Sequence, residues 1–284
     1  MSSLSPVGIA FLKGHGTEND FVLLPDPGAT LDLTAARVRV LCDRRAGLGA
    51  DGVLRAVPAE AVKDRPSDVT DDLWFMDYRN GDGSIAEMCG NGVRVFARYL
   101  VDAGLVGERE FAIGTRAGVR TVTVADDVTV GMGRVRVTGS SLATVGGASV
   151  AGFAVNVGNP HLVCVLEDVD KLASLDLTVP PAYDPDVFPD GVNIEFVVVE
   201  APDRLRMRVH ERGVGETRSC GTGTVAAVTG VLYGRGEHTG AATVDIPGGR
   251  VRVTVDPERS TLSGPAVFVA RGELDLGWWD GIAE

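Results

Sequence analysis

The sequence predicts an α+β protein of two pseudo-symmetric half-domains, each a curved, mostly antiparallel, barrel-like sheet around a central helix. Three observations carry this expectation. Short runs rich in Val, Ile, Phe and Leu alternate with turn residues along most of the chain. In several of them, such as Leu205, Met207, Val209 and Val251, Val253, Val255, the apolar residues fall at every second position, the period of a sheet with one buried face. Helical patterning is confined to a few stretches, and two of these follow a Cys-Gly-x-Gly run. The runs, Cys89-Gly90-Asn91-Gly92 and Cys220-Gly221-Thr222-Gly223, lie 131 residues apart in the numbering and form an internal echo.

In order along the chain, strands are expected over Phe11–Leu24, Asp72–Tyr78, Gly118–Val124, Val128–Val137, Gly152–Val157 and His161–Leu166. Later ones fall over Val192–Glu200, Arg204–His210, Ala242–Ile246, Gly249–Val255 and Ala266–Glu273. Helices are expected over Leu33–Cys42, Gly92–Ala103 and Gly223–Tyr233. The last is apolar nearly all round and reads as a buried central helix. The echo divides the chain into residues 1–131, joined by a C-terminal strand within 267–284, and residues 132–266, with the break near Asp126–Gly139. By this symmetry both helix N-termini, and both cysteines, would open on one cleft between the halves.

A chain of 284 residues fits two domains at about 150 residues each. Its 44% hydrophobic content is enough for sizeable cores and excludes global disorder. The 37 glycines show no collagen period, and imply many tight turns and close backbone approaches. With 27 basic against 39 acidic residues the net charge is −12 and the pI is near 4.8, which argues against nucleic-acid and anionic-membrane partners. Met1–Phe11 has neither a basic region nor a long apolar core, so no leader is expected and the cytoplasm is the expected compartment. Cys42, Cys89, Cys164 and Cys220 should therefore be thiols. No C-x-x-C or Cys/His spacing suggests a metal. Cys42 and Cys164 lie among apolar neighbours and read as core thiols.

A cysteine at a helix N-terminus meets unpaired N–H groups and the positive end of the helix dipole, which favour thiolate. The glycines that follow let a ligand approach the backbone, and the same N–H groups suit a carboxylate. Two such turns facing each other would hold a base on one side of an amino-acid α-carbon and an acid on the other, with no pyridoxal phosphate or other cofactor. One Cys-Gly-x-Gly is most often only a turn. Two in register, each beside acids and a helix start, reverse those odds.

Six blocks extend the pattern: Lys13-Gly-His-Gly-Thr-Glu-Asn-Asp-Phe21, Arg45-Ala-Gly-Leu-Gly-Ala-Asp-Gly52, Asn80-Gly-Asp-Gly-Ser84 with Glu87-Met-Cys-Gly-Asn-Gly92, Asn156-Val-Gly-Asn-Pro-His161, Asn193-Ile-Glu-Phe196, and Glu211-Arg-Gly-Val-Gly-Glu-Thr-Arg-Ser-Cys-Gly-Thr-Gly223. In their order and over almost the whole chain these resemble the diaminopimelate epimerases, cofactor-independent epimerases that work with two cysteines. The resemblance implies interconversion of LL- and meso-2,6-diaminoheptanedioate, in the path to lysine and peptidoglycan. It makes Cys89 and Cys220 the acid/base pair, with His161 serving Cys89 and Glu211 serving Cys220. It rests the reacting end of the substrate on the N–H groups of Gly90, Asn91, Gly221 and Thr222. The far end is left to Asn19, Asn80, Asn159, Asn193 and Arg212, with Glu211 accepting from an amine. A bidentate Arg suits a carboxylate, and asparagines suit a zwitterion without adding charge. Taken singly, His161 could be a satisfied turn residue, Glu211 a solvated strand end, and the asparagines ordinary turn residues.

The chain departs from the resemblance at two places. Thr17-Glu18 stands where many members have Leu-Gly, and Gly52 where some carry a Gln that contacts substrate. The expected partner is the diaminopimelate itself, a homodimer being allowed. Three other readings stand beside this one. A proline or hydroxyproline racemase would also use two cysteines, but usually has His where Asn91 stands. A redox dithiol would cycle Cys89 and Cys220, despite the missing C-x-x-C. An amino-acid-binding module would exchange no α-hydrogen.

Overall fold

The structure, a computed structural model, describes residues 8–283. The expectation that no leader precedes the fold falls mostly on residues 1–7, outside the described residues. In chain order the elements are β1 (Gly8–Gly16), β2 (Asn19–Pro25), α1 (Ala35–Cys42), β3 (Gly52–Pro58), β4 (Trp74–Asn80), α2 (Gly90–Asp102), β5 (Glu110–Thr115), β6 (Gly118–Val124), β7 (Val128–Gly133), β8 (Arg136–Val145), β9 (Ala148–Asn156), β10 (Pro160–Leu166) and α3 (Val169–Ser174). They continue with β11 (Ala182–Tyr183), β12 (Asn193–Ala201), β13 (Arg204–Glu211), β14 (Gly215–Thr217), α4 (Gly221–Gly234), β15 (Gly240–Ile246), β16 (Gly249–Val255), β17 (Ser260–Gly264), β18 (Val267–Asp275) and α5 (Leu276–Asp280). The chain is an α+β protein dominated by sheet, and it separates into two compact units. One runs through Val128 and takes in the segment from Pro265; the other is Thr129–Gly264.

In the first unit the strands pair in the order β18, β1, β2, β3, β4, β5, β6, and only β2–β3 and β4–β5 are parallel. α2 packs against β1, β2, β3, β4 and β6, strands from across that order, so the sheet curls around it. β2 shows why. Phe21, Val22, Leu23 and Leu24 are all fully buried, which needs cover on both faces of the strand. Val22 and Leu24 belong to the core under α1, with Val38, Leu41 and Trp279. Phe21 lies on the opposite face, where Gly92 of α2 comes close to it and to Leu54.

The second unit repeats the scheme. Its order β8, β9, β10, β12, β13, β15, β16, again with two parallel pairs at the same places, matches the first strand for strand. α4 packs against every one of these strands and against β17, and eleven of its residues, from Gly221 to Leu232, are buried. The alternation in β10 and β12 divides their faces. Leu162, Cys164, Leu166, Ile194, Phe196 and Val198 enter the outer core with Leu172 and Phe188. The intervening positions point to α4, as Val163 against Gly230 and Glu195 against Gly223 show.

Three expectations need correction. The run Phe11–Leu24 is a hairpin of β1 and β2, because Thr17 and Glu18 take φ of 52° and 62°. Neither residue type advertises a left-handed turn, so composition gave no signal there. The run Val128–Val137 breaks at Gly133, whose φ of 83° ends β7. The two helices after the cysteines also begin two residues earlier than expected, at Gly90 and Gly221, which makes Cys89 and Cys220 the N-caps themselves. Among the described residues no helix is long and apolar enough to cross a membrane.

Candidate active site

In the first unit Cys89 caps α2 with extended backbone (φ −140°, ψ 119°), and its carbonyl accepts from Val93 N at 2.8 Å. Gly90, Asn91 and Gly92 form the first turn, where N–H groups have no partner within the helix. The half-buried Cys89 Sγ donates to Asn19 Oδ1 at 3.5 Å. The same oxygen accepts from Asn91 Nδ2 at 3.2 Å, while Asn19 Nδ2 donates to Asp51 Oδ2 at 2.7 Å. Asn19 is thus oriented from both ends, and it meets Cys89 directly. Asn80 stands at the end of β4, where its Nδ2 donates to Ser84 Oγ at 3.0 Å across the Asn80–Ser84 turn. Gly52 pairs with Asn80 across the sheet and has no room for a side chain: a Cβ there would fall 2.5 Å from Arg79 O and 2.7 Å from the Tyr78 ring.

Asp20 and Asp51 are bridged by Arg44, at 2.7 and 2.8 Å, and Lys13 closes on Asp20. Burial alone would raise the Asp20 carboxyl, but its bonds to Arg44 and Lys13 overcome this and hold it at about 2.

In the second unit Cys220 caps α4 in the same way (φ −126°, ψ 112°), and its Sγ accepts from Gly223 N at 3.4 Å. Thr222 Oγ1 lies 3.6 Å from the same sulfur. The α4 face of the sheet brings His161, Asn193 and Glu195 together, with His161 and Asn193 in parallel register. His161 is fully buried between Glu195 Oε1, 2.7 Å from Nδ1, and Asn159 Oδ1, 2.9 Å from Nε2. Asn193 Oδ1 accepts from the backbone N–H of Arg212 at 2.9 Å, which ties the start of β12 to the end of β13. Arg212 Nη1 donates to Asp190 O at 2.6 Å. Glu211 accepts from the Thr217 hydroxyl.

The two thiols do not share one electrostatic setting. At Cys220 burial pushes the thiol well above its usual range and Glu211 and Glu195 push it further, outweighing the helix-end N–H of Gly223 and the Thr222 hydroxyl, which favour thiolate. Burial also raises Cys42 to about 11 and Cys164 to about 12, as expected of core thiols. Burial pushes the Glu195 carboxyl up to about 7 against the pull of His161. Glu195 and Arg94 were not singled out in the sequence. Each carried a signal: a carboxylate at an inward position of the apolar run Asn193-Ile-Glu-Phe-Val-Val-Val, and a cation inside Gly92-Val-Arg-Val-Phe-Ala.

Two like-built units, each a sheet wrapped around one helix, define a class of fold that several solved structures share. A phenazine biosynthesis protein of the PhzF family from Bacillus anthracis superposes with a TM-score of 0.65 at 14% identity, covering 94% of this chain and 98% of that one. A probable proline racemase from Agrobacterium radiobacter K84 does so with a TM-score of 0.64 at 17% identity, covering 94% and 93%. At such identities these neighbours show the fold alone. The family model for diaminopimelate epimerase matches residues 11–138 and 153–272. Curated diaminopimelate epimerases from Rhodococcus jostii (strain RHA1) and Mycolicibacterium paratuberculosis (strain ATCC BAA-968 / K-10) are 55% and 57% identical, covering 96% and 95% of this chain and 99% and 98% of theirs. The chain belongs to the diaminopimelate epimerase family.

Proposed function

We propose that this protein interconverts LL- and meso-2,6-diaminoheptanedioate without a cofactor, by two-base proton transfer at one α-carbon. The observation that carries the reading is that each unit presents a cysteine as the N-cap of a helix whose first turn is Gly-x-Gly, in a chain of this family. One thiolate takes the α-proton, the C–H pair staying on carbon as charge spreads into the carboxylate. The other cysteine, as thiol, returns a proton to the opposite face. Helix-end N–H groups of Gly90, Asn91, Gly221 and Thr222 would hold that carboxylate and offset the developing charge.

In this reading His161 serves as second acceptor for Cys89, and Glu211 for Cys220. Asn19, Asn80, Asn159, Asn193 and Arg212, with Glu211, bind the distal amine and carboxylate and so fix which centre inverts. Elevation of the Cys220 thiol by Glu211 supports the Cys220 assignment, because it places the two groups within electrostatic reach. The reaction belongs to lysine and peptidoglycan precursor synthesis and is placed in the cytoplasm. Its partner is the small-molecule substrate rather than nucleic acid or membrane, in keeping with a net charge of −12. A homodimer is compatible with it.

The test is incubation of pure LL-isomer with the reduced protein in deuterium oxide, followed by chiral analysis and mass spectrometry. Appearance of meso-isomer carrying one α-deuteron is expected. Turnover of proline without turnover of diaminopimelate, or no α-exchange at all, would overturn the reading.

A further inference from the structure

Among the described residues Arg94 is the largest fully buried side chain, at 0% exposure, and it lies on α2 about one turn beyond the Cys89 cap. Its Nη2 donates to two neutral oxygens, Thr17 Oγ1 at 2.9 Å and Asn91 Oδ1 at 2.7 Å. Its Nε and Nη1 have no hydrogen-bond partner among the described residues. A guanidinium taken out of water costs several kcal/mol unless paired, so a site that keeps one without a carboxylate bound to it calls for an explanation. The surroundings are shaped for it. A side chain at Gly16 would lie 2.9 Å from Nη2, and Thr17, buried with a positive φ, turns its hydroxyl to it.

The bonds form a directed chain. Arg94 donates to Asn91, Asn91 donates to Asn19, and Asn19 donates to Asp51, so a buried cation and a carboxylate set the direction of both amides between them. The oxygen that this direction presents, Asn19 Oδ1, is the one that meets Cys89 Sγ.

The geometry points to Arg94 as a positioning residue for Cys89: it orients the Asn91–Asn19 pair that holds the sulfur, and its buried charge favours that sulfur in ionised form. The assignment rests on the reading of Cys89 as a proton-transfer group. Burial draws the guanidinium down to about 10, while Cys89 and Asp127 are the negative groups acting against that. The other charged groups of this network are Asp51, bonded to Asn19, and Arg44, Asp20 and Lys13 paired beside it; the exposed Glu87 lies two residues before the cap in sequence. The result is an asymmetry between the units: a buried cation acts on Cys89, whereas two carboxylates act on Cys220.

The test reads the ionisation of Cys89 directly, as the rate of its alkylation by iodoacetamide against pH, followed by peptide mass spectrometry. Arg94→Gln keeps an amide donor and loses the charge; its alkylation midpoint should rise by about one pH unit or more. Arg94→Lys keeps the charge but not the fork, and should hold the midpoint within about half a unit while kcat falls about tenfold. A purely structural arginine predicts lower stability in both variants with an unmoved midpoint, and an unmoved midpoint in folded Arg94→Gln would overturn the inference. If that variant does not fold, the Arg94 15Nε resonance of the wild type decides: it should follow the Cys89 titration and become flat in Cys89→Ser, and a flat wild-type trace would overturn the inference. Full α-hydrogen exchange in Cys89→Ser would instead overturn the catalytic reading of Cys89 and leave the coupling to Arg94 standing.

Discussion

His161 Nδ1 lies 2.7 Å from Glu195 Oε1, and neither side chain reaches solvent. The contact holds the ring at one nitrogen while Asn159 Oδ1 faces the other, so the ring orientation is fixed and the hydrogen on Nδ1 depends on whether Glu195 is ionised. The second Glu195 oxygen, Oε2, has no partner among the described residues, so an ionised Glu195 is only half satisfied.

Glu195 therefore makes stability fall with rising pH. Its carboxyl is raised from an ordinary value of 4.5 to about 7, so the folded state holds that proton more tightly than the unfolded chain does. The stabilisation is complete below the unfolded value and is lost as pH climbs through the folded one. Glu195→Gln should flatten the slope of unfolding free energy between about pH 4.5 and 7, an effect on the order of a few kcal/mol. Urea melts at several pH values check this; an unchanged slope would count against the buried carboxyl.

Asp20 acts with the opposite sign. Held at about 2 by Arg44 and Lys13 in spite of burial, it contributes stability that is present above its unfolded value of 3.8 and is lost as pH falls toward 2. Asp20→Asn should cost about 2 kcal/mol at neutral pH and only a small part of that by pH 2, where about half of the carboxyl is already protonated. Parallel acid titrations of the two proteins, followed by circular dichroism, measure the difference.

Much of this was legible in sequence, for definite reasons. Both central helices showed themselves, α4 through its all-round apolar run from Val225 to Leu232. The alternation of Leu205, Met207 and Val209 marked β13, where all three are buried. The β1–β2 turn did not show itself, because part of what holds it is tertiary: the hydroxyl of Thr17, at positive φ, is bonded to Arg94, 77 residues away. The electrostatic setting of Cys220 was only partly legible for a related reason. A helix end is visible in sequence, but the approach of Glu195 from β12 and Glu211 from β13 is not, and two carboxylates with burial outweigh a helix dipole worth about 1 kcal/mol.

Gly52 should resist replacement by Gln. The new Cβ would sit 2.5 Å from a main-chain oxygen, Arg79 O, within a paired strand that cannot yield without breaking its ladder. Gly52→Gln is expected to destabilise by roughly 2 kcal/mol or more and to leave kcat/KM no higher than in the parent. Thermal melts and steady-state assays test both halves; a stable variant with improved kcat/KM would show that the strand does yield.

Gly223 sets two effects against each other. Alanine is favoured over glycine inside a helix by about 1 kcal/mol, and Gly223 lies in the first turn of α4, where some of that gain applies. Against it, the added Cβ would stand 2.6 Å from Glu195 Oε1 and 3.2 Å from Cys220 Sγ. Glu195 is fully buried and bonded to His161, so it cannot swing away without breaking that contact. Overpacking of this kind costs about 1–3 kcal/mol, which outweighs the propensity gain. Gly223→Ala should therefore lower the melting temperature slightly and, on the proposed role of Cys220, reduce kcat by at least about tenfold, since a positional error at a reacting group is penalised more heavily than one in the core. Should kcat survive with the melting temperature raised, Glu195 and the Cys220 sulfur would have to be freer to move than their burial implies.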